Sequence, residues 1–154
     1  MEADKKACQP LASLIGGFTH IPAVSTVHRS LLPGEATNAT VGSMWLASHS
    51  EENAPRVMKE LRTAVAECSK GFKTLGLMYG KVESLPAPKL GDEAVGYRIT
   101  GDIGKQKMPM TYTVVRKGGV IAAFYGVNML DAKKAAIPEP VIKAQLERIA
   151  GTAD

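Results

Sequence analysis

Met110-Thr-Tyr-Thr-Val-Val-Arg116, Lys117-Gly-Gly119 and Val120-Ile-Ala-Ala-Phe-Tyr-Gly-Val127 are the stretches that decide the fold. The two outer runs are rich in β-branched and aromatic residues, and the Gly-Gly pair between them permits the tight turn of a hairpin. Just upstream, Val95, Tyr97 and Ile99 alternate with Gly96 and Arg98 across Ala94 to Gly101, the period of a strand buried on one side. Strands that follow one another without an intervening helix pair antiparallel, because a parallel crossover needs roughly a dozen residues or more. The second half of the chain therefore reads as a meander.

Ahead of it, Phe72 to Leu85 is strand material broken by Gly76 and Gly80, and Pro86-Ala-Pro-Lys-Leu-Gly-Asp92 is a loop. Asn53 to Ser69 carries Val57, Leu61, Ala64, Val65 and Cys68 at helical spacing, with Lys59, Glu60, Arg62 and Glu67 on the other side. Pro55 has no N–H to donate and belongs in the first turn, so Asn53 is the expected cap and Ser50 its competitor; Gly71 closes the helix. A shorter helix is expected from Cys8, with Leu11 and Ile15 on its stripe, Pro10 in its first turn and Gly16-Gly17 as its stop. Val24 to Leu32 alternates as a strand that ends in a Pro33-Gly34 turn. Ala39 to Ala47 puts Val41, Ser43 and Trp45 on one face and Gly42, Met44 and Leu46 on the other, so it belongs inside the sheet. Asn128 to Ile137 reads as a loop or one helical turn. Pro138 to Ala150 reads as a closing helix with Ile142, Leu146 and Ile149 toward the core. The expectation is a single α+β domain over residues 1–154: an antiparallel β-sheet of about six strands with a C-terminal meander, helices packed on one face, and residues 1–7 a disordered tail.

Composition narrows the function. A chain of 154 residues buries a core without needing crosslinks, but with aromatics at 5% it has few rings for stacking bases. The net charge of +4 comes from scattered lysines and forms no basic stripe, which argues against a nucleic-acid partner. No window approaches the roughly 18 apolar residues of a membrane span. Met1-Glu-Ala-Asp-Lys-Lys6 has no apolar stretch of a signal peptide, which fits a cytoplasmic protein or a secreted one cut after its targeting segment. Two cysteines on apolar helix faces, with 15 Gly and 9 Pro, favour the second, an extracytoplasmic domain held by a Cys8–Cys68 disulfide. The alternative is two buried free thiols.

Chemistry-bearing residues are sparse. His20, His28 and His49 lack ligand spacing, and His28 shares a face with Thr26 and Ser30 that should meet solvent. The two cysteines lie far apart in the chain, so neither a zinc knuckle nor a C-x-x-C redox pair is expected. Gly91-Asp-Glu-Ala-Val-Gly96 has phosphate-loop glycines, but Tyr97-Arg98 stand where Lys and Ser or Thr belong, and a strand follows; it reads as a turn. Asp92 and Glu93 are adjacent acids of one loop, without the opposed placement a glycosidase needs. Met108-Pro-Met110 is the tightest thioether pair and fits packing better than copper. Tyr97, Tyr112 and Tyr125 lie in successive strands and are the candidate ligand-binding residues, if their rings line a pocket on the sheet. No catalytic residue, metal or cofactor is expected.

The run Ala64-Val-Ala-Glu-Cys68, then Leu85-Pro-Ala-Pro88, Gly91-Asp-Glu-Ala-Val-Gly-Tyr-Arg98, Tyr112-Thr-Val-Val-Arg-Lys-Gly-Gly119 and Val120 to Asn128, resembles the secreted lipoproteins and sensor domains of high-GC actinobacteria. The extracellular domain of PknH-type receptor kinases is the nearest named relative, over roughly residues 40–150. The resemblance implies an envelope-exposed domain with helices on an antiparallel sheet, a cleft for an unknown ligand and a part in envelope signalling or stress. This chain has one cysteine pair where those sensors have two, and no kinase segment. Asp4-Lys-Lys-Ala7 before Cys8 is not a lipobox, so any lipid anchor belongs further upstream, in a secreted or membrane-anchored lipoprotein, and Cys8 is left for the disulfide. Two functions follow: a regulatory domain that binds an envelope signalling partner, or a carrier or sensor of a small apolar ligand or lipid held between sheet and helices. A flat exposed apolar patch favours the first, a closed apolar cavity the second.

Overall fold

The computed structural model describes residues 2–31, 40–128 and 137–152. After a 3₁₀ turn, Lys6–Cys8, the elements are α1 Gln9–Ile15, β1 Ser25–Leu31, β2 Thr40–Ser48, α2 Asn53–Glu67, β3 Phe72–Thr74, β4 Leu77–Leu85, β5 Glu93–Ile103, β6 Gln106–Lys117, β7 Val120–Asn128 and α3 Glu139–Thr152. The strands form one antiparallel sheet in the order β1-β2-β7-β6-β5-β4-β3. The fold is α+β, with seven strands where the sequence period suggests about six. The extra strand arises within Phe72 to Leu85, where Leu75 and Gly76 both take positive φ and fold β3 back on β4. Gly80 opens a register shift in β4 without ending it. The turn expected at Pro33-Gly34 and the loop expected over 129–136 lie outside the described residues.

The meander stands as its alternation requires, with Tyr97 opposite Tyr112 and Tyr112 opposite Tyr125. β6 starts earlier than its apolar run, because β5 pairs with it from Ile103↔Gln106 onward. Pro109 lies in this early stretch of β6, across from Thr100 of β5. β2 lies between β1 and β7, with Trp45 buried on one face and Met44 on the other.

Helices α1 and α2 cover one face. Leu11, Ala12, Met58, Leu61 and Ala64 pack there against Trp45, Tyr97, Ile99, Val114 and Ala123 in the main core. The sequence places every helix on this face, but α3 does not join that layer. Its Ile142 and Leu146 pack with Met44, Leu46, Val115, Ala122 and Phe124, the alternate residues of β2, β6 and β7, on the opposite side. The central strands are apolar on both faces, so both need a cover.

Helix α2 starts where Pro55 requires, but Ser50 supplies the capping bond: its Oγ accepts the Asn53 N–H at 3.1 Å. Gly71, at φ 92, lets the chain leave α2 directly into β3; a Cβ there would collide with the Tyr79 carbonyl. Residues 2–7 are not a tail. Ala3 bridges Thr74, Asp4 N–H donates to the Lys73 carbonyl and the Asp4 carboxylate accepts the Lys73 N–H, which covers the β3 edge of the sheet. The Cys8–Cys68 disulfide is formed, with Cα atoms 6.0 Å apart, and ties the 3₁₀ turn to the end of α2.

Candidate binding groove

Tyr97, Tyr112 and Tyr125 converge as their register demands and stack ring on ring, with centroids 5.1 and 5.4 Å apart. The stack is core. Tyr97 is 0% and Tyr112 2% exposed beneath α1 and α2, and only Tyr125 reaches the margin. Burial raises the Tyr97 and Tyr112 phenols well above the ordinary tyrosine value, so both stay neutral. The space between α1, α2 and the sheet is filled by side chains.

The opposite face carries an opening. A groove of ≈ 280 Å³ runs between the Pro86-Ala87-Pro88 loop and the start of α3, lined by those three residues, Thr113, Ile137, Glu139 and Ile142. The prolines hold the loop extended after β4, and Gly96, opposite Leu85, lets the Pro86 backbone lie close above the sheet. Thr113 forms the polar floor. Two residues along β6, Thr111 is buried at 4% exposure, and Arg98 stands directly across from it on β5. Thr111 Oγ1 and Arg98 Nε are buried, and among the described residues neither has a hydrogen-bond partner. The Arg98 guanidinium reaches Glu83 only at 3.8 Å.

The loop acids belong to a different structure. Arg116 Nε donates to Glu93 at 2.6 Å and its NH1 to Asp92 at 3.3 Å and to the Gly118 carbonyl at 3.1 Å. The Gly118 N–H donates to Asp92 at 2.7 Å, and Arg62 of α2 reaches Glu93 at 2.6 Å. Asp92 is held below its usual value chiefly by the Gly118 N–H. Burial pushes Glu93 up, but the bonds from Arg116 and Arg62 outweigh it and leave it below the usual value. Both acids are ionised clamps on the β6–β7 turn.

Each histidine has its own partner. His49 Nε2 lies 2.9 Å from Thr19 Oγ1, whose hydroxyl donates to the Ile21 carbonyl at 2.7 Å. That hydroxyl has spent its proton, so His49 must donate through Nε2, the reverse of what a general base for Thr19 would do. Burial first, then neighbouring His20, lowers the His49 pKa and keeps the ring neutral. His20 meets Glu60 at 3.2 Å. His28 lies on the helix side of exposed β1, where its Nε2 donates to the Gly17 carbonyl at 2.8 Å and its ring stands 6.2 Å from Trp45. Met44 and Met58 are core, and Met110 packs at its edge.

Sequence reasoning missed the groove because it brings together Pro88, Thr113 and Ile137, which lie 25 and 24 residues apart in the chain; Pro86-Ala-Pro88 read only as a break between strands. No protein-family model matches the chain, and no curated protein matches it.

Proposed function

We propose that this chain is a non-enzymatic regulatory domain of the cell envelope, which receives a segment of an envelope signalling partner in the groove between the Pro86–Pro88 loop and α3. The observation that carries this reading is the groove itself. It is open, and it combines apolar Pro86, Ala87, Pro88, Ile137 and Ile142 with polar Thr113 and Glu139, a mixture that suits an extended polypeptide segment. A carrier would need an enclosed apolar space, and the sheet-helix gap meant to provide it is packed with Tyr97, Tyr112 and Ile99. The direction of the Thr19–His49 bond supports a binding role over hydrolysis. A buried disulfide fits a secreted or lipid-tethered location, where such bonds persist.

A photo-crosslinking residue at Ala87, introduced in the producing cell, tests the reading against the same residue at Thr63 on the exposed side of α2. The expected result is one defined envelope protein captured from Ala87 and absent from Thr63. Equal capture at both positions, or none at Ala87, overturns the proposal. A small molecule that co-purifies with the protein and is displaced by Ala87→Trp would favour the carrier.

A further inference from the structure

Leu75 holds a conformation that a leucine has little reason to hold. It occupies the first position of the two-residue turn between β3 and β4 with φ 50, and Gly76 follows with φ 76. Two successive left-handed residues make the hairpin turn that Asn-Gly fills with least strain, whereas a bulky L-residue there is disfavoured. Packing does not offset the strain: Leu75 is 73% exposed, and Leu77 across the turn is 42% exposed.

A second turn lies beside this one. Met78↔Asp102 and Ile103↔Gln106 bring the Gly104-Lys105 turn to the same end of the sheet. Lys73, Lys105 and Lys107 are exposed there. Among the described residues none of the three has a carboxylate within ion-pair distance, whereas nearby Lys81 pairs with Glu83 at 2.9 Å. The acids at this end are Asp102, Glu2 and Asp4, and the Asp4 carboxylate is turned onto the Lys73 N–H at 2.8 Å. The first described residues also lie here, since the Thr74 hydroxyl donates to the Glu2 carbonyl.

We infer that this end of the sheet is a membrane-contact site: Leu75 and Leu77 enter the headgroup region of an anionic bilayer while Lys73, Lys105 and Lys107 lie against its lipid phosphates. Exposed leucines with flanking lysines suit the interface, where apolar tips leave water and cations meet the negative surface. This site rests on the envelope location proposed above, where such a bilayer is at hand.

Co-sedimentation of the full chain with vesicles of phosphatidylglycerol in phosphatidylcholine, and of phosphatidylcholine alone, tests the inference. Binding is expected only to the anionic vesicles and weakens with added salt. Leu75→Asn restores an Asn-Gly turn, so it should lower binding about tenfold while the thermal midpoint holds or rises. Leu75→Trp should show a blue-shifted emission with anionic vesicles, over the constant signal of buried Trp45. Wild-type protein left in the supernatant with both vesicle types overturns the inference and returns Leu75 to a protein contact. So does Leu75→Asn that binds as well as wild type or is less stable than it, or a Leu75→Trp emission that does not move.

Discussion

Replacing both Cys8 and Cys68 with alanine should cost about 4 kcal/mol, with the loss arising in the unfolded chain. The bond spans 60 residues, and the loop-closure entropy for that length is about 14 cal/mol/K, or about 4 kcal/mol near room temperature. The segment enclosed contains α1, β1, β2 and α2, so the uncrosslinked chain gains freedom over more than a third of its length. Against a total stability on the order of 5–15 kcal/mol the double variant still folds, with its thermal midpoint lowered by roughly 8–16 °C. Urea titration of both forms measures the free energy and the slope together. A looser unfolded state exposes more surface, so the slope should rise as the midpoint falls. If stability changes by less than about 1 kcal/mol, packing of α1 on α2 holds the layer without the bond and the argument fails. An undiminished loss with an unchanged slope would place the effect in the native core, against the entropic account. Both sulfur-bearing residues are buried, at 1% and 2% exposure, so reductant should leave the native bond intact until the protein unfolds.

Three further outcomes are expected. Glu93→Gln weakens the Arg116 and Arg62 bonds and should cost about 1–2 kcal/mol in urea, whereas Arg62→Ala, at the exposed end of the same cluster, should cost under about 0.5; equal losses would mean that the clamp is centred elsewhere. Tyr97→Phe removes a buried hydroxyl that has no partner among the described residues and should leave stability unchanged or raise it by up to about 1 kcal/mol, while a clear loss would reveal a bond that the phenol makes. The lowered pKa of His49 means that the unfolded chain takes up its proton first, so this contribution is complete above pH 6.5 and is lost as pH falls below it toward the folded pKa. Urea midpoints followed through that range should decline in wild type and decline less in His49→Asn; parallel curves would remove His49 as the cause.

The amino-acid sequence alone determined the parts of this protein that depend on local period and turn chemistry. Alternation through Val95, Tyr97 and Ile99, the Gly118-Gly119 turn and the stripe from Val57 to Cys68 are each written within a few residues of one another. They yielded the meander, α2 and the antiparallel class, because strand and helix periods are properties of neighbours along the chain. The single possible pairing of Cys8 with Cys68 was likewise readable. Tertiary structure decided what depends on distance. The alternation showed which residues of β2, β6 and β7 share a face, but only the assembled sheet showed that α1 and α2 take one face and α3 the other. Tyr97, Tyr112 and Tyr125 were correctly brought together by register, yet whether stacked rings line an opening or fill a core depends on the helices laid over them. The left-handed turn at Leu75 hides in the sequence because its residue type argues against it. The groove hides because Pro86, Thr113 and Ile142 are neighbours only after β5, β6 and α3 have packed.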